Sequence, residues 1–170
     1  MKPVYCLLIL LFSILLSSCG AIISEPVSDQ KILKHLVPHY KAGQSLSIHN
    51  YYKKPTLVEN SVQGAMYIQV DLKQLSGASI KLVKQAMAYQ NVSVVPSNKK
   101  TITIRAHNVY LKSLFNLHLE LSAELSNGKQ GNVQQTYGKK AYHYERHNLA
   151  ILPATEKLLK HPDFIKFMNE

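Results

Sequence analysis

The stretch LHLELSAEL, residues 117–125, decides the fold, because apolar and polar residues alternate along it without a break. Successive side chains of a β-strand point to opposite faces of the sheet, so this stretch predicts a strand with one face buried. A shift of one residue would bury both of its glutamates, which fixes the register. The pair Asn127-Gly128 follows directly and favours a type I′ turn, which needs positive φ at both central residues. The sequence therefore predicts a hairpin whose second, more polar strand covers residues 130–142.

Other strands are predicted upstream of this hairpin. Residues 67–72 alternate in hydropathy. Residues 101–110 begin with four β-branched residues, and Ile102, Ile104 and Ala106 share one face. Residues 92–95 form a short apolar run, and residues 46–52 are compatible with a strand. The segment 53–64 contains both a proline and a glycine and is predicted to be a loop.

Helical periodicity is present in two places. Residues 79–89 carry apolar side chains at helical spacing and predict a helix of three turns that starts after a break at Ser76-Gly77. Near the C-terminus, residues 144–151 begin a helical region that Pro153 restarts or kinks, and His161-Pro162-Asp163 marks a further start. Taken together, the elements predict an α+β fold, with a mostly antiparallel sheet of four to five strands and two helices packed on one face.

The first twenty residues, MKPVYCLLILLFSILLSSCG, indicate export. A transmembrane helix needs about 20 apolar residues, and this run is shorter, so residues 1–18 are interpreted as a cleaved signal peptide. Leu16-Ser17-Ser18-Cys19 resembles the lipobox of bacterial lipoproteins, in which cleavage falls immediately before the cysteine, here between Ser18 and Cys19. The resemblance implies that Cys19 is the lipidation site and carries a diacylglycerol and a fatty acyl chain such as palmitate. An ordinary secretory signal with an incidental cysteine is the alternative.

Gly20 indicates where such a lipoprotein would be sorted. In that class an aspartate after the cysteine favours the inner membrane, whereas Gly20 implies the periplasmic face of the outer membrane. Because two or more acyl chains hold a protein stably on a bilayer, the mature chain is expected to stay membrane-bound. Residues 19–44 are predicted to be the lipidated N-terminus and a tether, with a short helix or ordered linker over 31–40. Residues 45–170 are predicted to form a single α+β periplasmic domain.

The charge of the chain indicates what it could contact. It has 20 Lys+Arg against 10 Asp+Glu, a formal net charge of +10. Its arginines are Arg105 and Arg146, and lysine point charges suit a diffuse anionic surface such as lipid head groups or lipopolysaccharide phosphates. Nucleic acid is not expected as a partner, because it does not fit the compartment that the signal peptide implies. The alternative to an anionic partner is that the positive charge only keeps the domain soluble. Cys6 is lost with the signal peptide, so no disulfide can form within the mature chain.

The sequence contains no Gly-x-Ser-x-Gly, no His-Glu-x-x-His, no glycine-rich phosphate loop and no Cys-x-x-Cys. We therefore expect a protein that is not an enzyme and holds no cofactor and no metal. Two histidine pairs, His35 with His39 and His143 with His147, have the spacing that meets on one helical face. Pro38 disturbs the first pair, and zinc needs three or four ligands, so surface histidines are the simpler interpretation.

Two further groups of residues are candidate sites. Glu120 and Glu124 share the solvent face of the predicted strand, and a solubilising role is favoured over a carboxylate pair for hydrolysis. Six tyrosines lie near lysines, where amphipathic rings favour contacts with proteins or with lipid head groups, and core packing is the alternative. They are Tyr40, Tyr51, Tyr52, Tyr137, Tyr142 and Tyr144.

The order of motifs in residues 102–168 is similar to that of the YajG-like family of outer-membrane lipoproteins. The similarity is carried by two alternating strands, by Asn127-Gly128-Lys129, by Thr136-Tyr137 and by a helix that closes over residues 158–167. It extends over residues 67–170, and the segment 40–54 departs from it. The auxiliary lipoproteins of lipid-transport ABC systems and the lipopolysaccharide-assembly lipoproteins share the same coarse make-up. The family supplies no catalytic residues.

These observations lead to one expectation of function and one alternative. The first is a non-enzymatic envelope lipoprotein that is anchored by Cys19 and acts as an accessory or scaffold subunit of a cell-envelope complex with protein partners. The alternative is a lipid or lipopolysaccharide binding module of an envelope transport system, in which the uncovered sheet face or a cavity holds an acyl chain while lysines meet the phosphates.

Overall fold

The computed structural model describes residues 21–24, 30–63, 66–113, 116–137 and 143–170. In chain order, the elements of these residues are β1 (Ala21–Ser24), a 3₁₀ turn (Lys34–Leu36), β2 (Ser45–Asn50), β3 (Leu57–Gln63), β4 (Met66–Asp71), α1 (Leu72–Tyr89), β5 (Ser93–Val94), β6 (Thr101–Ser113), β7 (Asn116–Leu125), β8 (Gln130–Tyr137), α2 (His143–Leu159) and α3 (Pro162–Asn169).

The strands form two sheets. The larger has five strands in the order β5-β2-β6-β7-β8, and the smaller has three in the order β1-β4-β3. The long ladders between β6, β7 and β8 are antiparallel, whereas the short ladders that β2 forms with β5 and β6 are parallel. The predicted α+β class is therefore confirmed, and the sheet is mostly but not entirely antiparallel.

The helix count differs from the predicted two, since the described residues contain three α-helices. The C-terminal helical region divides at His161, where the chain is extended, and Pro162 occupies the first turn of α3. Proline is tolerated there because that N–H would have no intrahelical partner. Pro153, by contrast, lies inside α2, which runs on past it to Leu159.

The hairpin of β7 and β8 is confirmed, but its turn is not type I′. Gly128 has a φ of 81°, whereas Asn127 is not among the residues with positive φ. The N–H of Gly128 donates to the carbonyl of Leu125 at 2.9 Å, and the N–H of Lys129 donates to the Asn127 side chain at 3.1 Å. A turn followed by a left-handed glycine is the usual arrangement of a longer hairpin loop, so the glycine rather than the pair carries the geometry.

Helix α1 begins at Leu72, so the predicted break at Ser76-Gly77 is wrong. The Asp71 carboxylate caps the helix by accepting from the N–H of Lys73 at 2.9 Å. Ser76 is fully buried, donates its hydroxyl to the carbonyl of Leu72 at 2.8 Å and accepts from the N–H of Ala106 in β6 at 2.9 Å. Serine has a low preference for helix interiors, so the local sequence predicts a break at Ser76. The hydrogen bond with Ala106 keeps Ser76 inside the helix.

The segment 53–64, predicted to be a loop, contains strand β3. This strand pairs with β4 in an antiparallel ladder whose register shifts between Glu59 and Ser61. The shift interrupts the alternation of hydropathy that would have revealed the strand in the sequence.

The region predicted as a tether contains ordered structure. Residues Ala21–Ser24 form β1, which pairs in parallel with β4. Ile32, Val37 and Tyr40 are buried in the hydrophobic core, and the N–H of Ile32 donates to the Gln85 side chain at 3.2 Å. The core of the domain therefore extends to the N-terminal side of residue 45.

Helices α1 and α2 pack on one face of the five-stranded sheet, as predicted for the two main helices. Ile104 of β6 and Leu121 of β7 are fully buried beneath them. Between the helices, the hydroxyls of Ser79 and Thr155 lie 2.9 Å apart in a hydrogen bond, and both residues are fully buried. No helix in the described part of the chain is long and apolar enough to cross a bilayer.

Candidate functional site

The five-stranded sheet has a second face, which we call the open face and which points away from α1 and α2. On β6, Thr103, Arg105 and His107 alternate with residues of the core and belong to this face. The register pairs Thr103 with Glu124 and Arg105 with Ser122 of β7, so the polar side chains of two strands lie side by side.

Arg105 lies at the centre of an aromatic contact on the open face. Its guanidinium carbon is 4.1 Å from the centroid of the Tyr51 ring, and the Tyr51 and Tyr52 rings meet edge to face at 5.2 Å. We call Tyr51, Tyr52 and Arg105 the Arg–Tyr cluster. A cation over an aromatic ring contributes about 0.5–1 kcal/mol at an exposed site. The contact therefore orients the guanidinium more than it stabilises the fold.

The backbone around the two tyrosines is held in place by its own hydrogen bonds. The N–H of Tyr51 donates to the carbonyl of Ile104 at 3.0 Å, which continues the pairing of β2 with β6. The Tyr52 hydroxyl donates to the carbonyl of Ala106 at 2.6 Å. The Lys73 ammonium donates to the carbonyl of Lys53 at 2.9 Å. The backbone that carries the cluster is thus held by contacts within the chain.

The charge of Arg105 is not balanced by an ion pair in the described part of the chain, where the salt bridges join Lys129 and His161 to Asp163. Its Nε is buried and has no hydrogen-bond partner among the described residues. The neighbouring Tyr52 side chain raises the pKa of Arg105 above its ordinary value, so the guanidinium is permanently charged.

His107 extends the cluster along β6. Its Nε2 is 2.6 Å from the Ser122 hydroxyl across the ladder. Burial lowers the pKa of His107, and the charge of Arg105 lowers it further, while Glu120 acts in the opposite direction. The imidazole is therefore neutral near pH 7, and it can donate or accept a hydrogen bond without adding charge.

The pair of Ser122 and His107 lies within the five-stranded sheet, at hydrogen-bond distance. Ser122 lies in the middle of β7, which is paired with β6 on one side and with β8 on the other. The register of β6 shifts beside this pair, between Ala106 and Val109. The two side chains can therefore take part in hydrogen bonds with a polar group.

Glu120 and Glu124 are too far apart to act as a carboxylate pair for hydrolysis. Glu120 and Glu124 lie on the open face, and in an extended strand four residues span about 13 Å. Glycosidase carboxylates lie about 5–9.5 Å apart. Glu124 is exposed, as expected of a solubilising residue.

The histidine pairs show no converging ligands. His35 lies in the 3₁₀ turn, His39 follows Pro38, and both are exposed. His143 and His147 lie in the first turns of α2, where only the backbone is described. Within the described ranges, no three side chains of metal-ligating type come together.

The tyrosines fall into different environments. Tyr40 is fully buried, and its hydroxyl donates to the carbonyl of Leu159 at the end of α2 at 2.9 Å. Burial raises its pKa far above the ordinary value, so its role is structural. Tyr51 is 45% exposed and belongs to the Arg–Tyr cluster. Tyr137 and Tyr144 are described by their backbone alone, in β8 and α2, and Tyr142 lies outside the described residues.

The predicted lipidation site, Cys19, lies outside the described residues, as do Ser18 and Gly20. Sequence reasoning singled out Tyr51 and Tyr52 but missed Arg105, His107 and Ser122. The alternation along residues 101–107 could have placed Arg105 on the outer face of its strand. Its contact with Tyr51 joins residues 54 positions apart and had no signal in the sequence.

Comparison with known proteins gives a likeness of fold. No family model matches the chain, and no curated protein matches it. Protein XCC0632 from Xanthomonas campestris, of family DUF330, has a TM-score of 0.54 at 11% identity, over 81% of this chain and 92% of that one. An uncharacterized protein has a TM-score of 0.46 at 8% identity, over 76% and 94% of the two chains. The PelC dodecamer from Paraburkholderia phytofirmans has a TM-score of 0.37 at 11% identity, over 72% and 92%.

The likeness to XCC0632 concerns the arrangement of helices and strands alone, because at 11% identity it carries no information on residues or activity. The other two likenesses are too weak to support an argument. The resemblance to the YajG-like family, which rests on the order of motifs, stays a prediction.

Proposed function

We propose that this protein is a non-enzymatic lipoprotein of the cell envelope, anchored through Cys19 at the periplasmic face of the outer membrane. There it acts as an accessory or scaffold subunit of an envelope complex. The anchor is supported by the lipobox Leu16-Ser17-Ser18-Cys19, and the sorting is supported by Gly20.

The observation that carries the scaffold role is the Arg–Tyr cluster on the open face. Arginine and tyrosine are the residue types that concentrate binding energy at protein interfaces, because they combine large contact area with directed hydrogen bonds. Here an arginine with no ion pair in the described chain is stacked on a tyrosine that is 45% exposed. A partner with a carboxylate could form an ion pair with Arg105, and an apolar side chain of the same partner could cover the exposed ring of Tyr51.

Site-specific photocrosslinking in native membranes tests this role. A photoreactive phenylalanine analogue at position 51 should form a single crosslink with an envelope protein, in stoichiometric yield. Tyr89 is a matched control, because it is also an exposed tyrosine, at 39%, but lies at the end of α1 on the other side of the sheet. No crosslink at position 51, together with a purely monomeric protein in mild detergent, would contradict the scaffold role.

A second candidate is a lipid or lipopolysaccharide binding module, which the uncompensated charge of Arg105 also supports. Lys53 and Lys54 follow the two tyrosines directly, so several cations lie near one exposed aromatic ring. Phosphate groups bind bidentately to a guanidinium and diffusely to ammonium groups.

Mass spectrometry of the protein purified from its own membrane separates the two candidates. The lipid-binding role predicts a co-purifying glycolipid or phospholipid that is lost in Arg105→Gln and retained in Lys81→Gln, a substitution on the exposed side of α1. The scaffold role predicts that the wild-type protein carries no lipid other than its own anchor. An equal loss of lipid in both variants would indicate a general effect of charge and no specific site.

A further inference from the structure

Strand β1 begins two residues after Cys19. It covers Ala21–Ser24, and its register with β4 runs from Ala21 opposite Tyr67 to Ser24 opposite Val70. Gly20 alone separates Cys19 from the strand. Two residues span at most about 7 Å, whereas a free tether of residues 19–44 could extend to about 85 Å. The length of this link therefore limits how far the start of β1 can lie from an acyl anchor on Cys19.

The direction of β1 shows which end of that sheet lies near Cys19. Because β1 and β4 are parallel, Ala21 lies at the end where β4 begins. β3 and β4 join at the same end, where Gln63 pairs with Met66. Neighbouring strands are about 4.8 Å apart, so this end lies within two strand spacings of Ala21. We call Ala21, Gln63, Met66 and Tyr67 the hairpin end.

The sequence at the hairpin end is suited to a lipid surface. Residues 60–67, NSVQGAMY, contain no charged residue, in a chain of which 18% is charged. Tyrosine and other amphipathic or apolar residues are favoured where head groups meet acyl chains, and a charge would resist the partial loss of water there. The end of the five-stranded sheet at which β6 begins is basic by contrast, since Lys99 and Lys100 precede β6 and Lys129 lies in the turn before β8.

We propose that the hairpin end lies against the bilayer, held there by the acyl chains of Cys19, so that the domain has a fixed orientation on the membrane. This inference rests on the proposed lipidation of Cys19. The sequence predicts a domain joined to the membrane by a long tether. The proposed arrangement instead attaches the domain through β1, a strand of its smaller sheet.

The orientation has a consequence for the Arg–Tyr cluster. The cluster lies beside the other end of β4, because Thr56, four residues after Tyr52, donates its N–H to the Asp71 carboxylate at 2.9 Å. From Met66 to Asp71 an extended strand spans about 17 Å. The cluster is therefore held away from the bilayer surface, where a protein partner reaches it more readily than a lipid head group of the same membrane.

Tryptophan fluorescence tests the orientation cleanly, because the chain contains no tryptophan of its own. The full-length lipidated protein is reconstituted in vesicles that contain brominated phosphatidylcholine, and one tryptophan is introduced at a time. Met66→Trp and Gln63→Trp should both be quenched several-fold more strongly than Ser97→Trp, which replaces an exposed residue in the segment before β6. Equal quenching at positions 63, 66 and 97, or none at 63 and 66, overturns the proposal.

Intact-mass measurement separates failure of the anchor from failure of the orientation. A protein without acyl chains would remove both the proposed function and this inference. An acylated protein with no quenching at positions 63 and 66 would leave the anchor standing and remove the orientation alone. An insertion of eight Gly and Ser residues between Gly20 and Ala21 adds a flexible reach of about 15 Å. It should leave the mass of the acyl groups unchanged and weaken the quenching at position 66, and unchanged quenching would contradict the role of the short link.

Discussion

The two faces of the five-stranded sheet share the same strands and have opposite properties. On β6, Ile104 and Ala106 are fully buried against the helices, whereas Arg105, between them, faces the other way and stacks on a half-exposed tyrosine. The helix-covered face is closed by contacts within the chain, and the open face holds a charge that the described chain does not balance. Neighbouring residues of one strand thus belong either to the packed core or to the proposed binding surface, and substitutions at neighbouring positions should have different effects on stability.

The largest effect is expected for Ile104→Ala on the covered face. Removing a fully buried isoleucine side chain leaves a cavity and lowers the free energy of unfolding by about 2–5 kcal/mol. Thr103→Ala, one residue away on the open face, should change it by less than about 0.5 kcal/mol. Urea denaturation followed by circular dichroism measures both. Similar losses for the two variants would mean that the open face is also packed.

The hydrogen bond that joins α1 to β6 should have the next largest effect. Ser76→Ala removes the acceptor for the N–H of Ala106 and leaves that buried group unpaired, which lowers the free energy of unfolding by about 1–3 kcal/mol. Ser97→Ala, at an exposed position, is the matched control and should be neutral. Hydrogen exchange of the Ala106 amide should also become faster, and an unchanged rate would argue against the hydrogen bond.

The two kinds of tyrosine provide a smaller contrast. Tyr40→Phe removes a buried hydroxyl that donates to the carbonyl of Leu159, and it should lower the free energy of unfolding by about 0.5–1.5 kcal/mol. Tyr51→Phe keeps the ring under Arg105 at a half-exposed position and should change stability by less than about 0.5 kcal/mol. Urea denaturation measures both free energies of unfolding. A larger loss for Tyr51→Phe than for Tyr40→Phe would mean that Tyr51 is the tyrosine whose hydroxyl stabilises the fold.

The smallest effect is a dependence of stability on pH that arises from His107. Its pKa is lowered in the folded state, chiefly by burial, so the unfolded chain takes up a proton first as the pH falls. The contribution of His107 is therefore complete above the unfolded pKa of about 6.5 and is lost as the pH falls towards the lower folded value.

His107→Gln should flatten the change in the urea midpoint between about pH 7 and pH 5 relative to the wild-type protein. His35→Gln provides the control, because His35 is exposed. A wild-type slope that persists in His107→Gln would assign the dependence to other groups.

Part of this architecture could be predicted from local pattern. The strand over residues 117–125, the hairpin that follows it and the short strand near Val94 lie where the sequence predicts them. β3 was missed because its register shift breaks the alternation, and the first two turns of α1 were missed because Ser76-Gly77 is a poor helical sequence. In both cases the missing information is a partner in another element, namely β4 for β3 and Ala106 for Ser76.

The sequence by itself determined the α+β class and the faces of β6 and β7, because each follows from the order of residues over short stretches. The basic charge follows from composition, and the acylation of Cys19 stays a prediction. Only the tertiary structure decided that Tyr40 is a core residue, that Arg105 meets Tyr51 and that Ala21–Ser24 join β4. These pairs lie between 46 and 119 positions apart in the chain. Contacts at such separations depend on how whole elements pack. The hydropathy pattern within one strand or helix does not predict them.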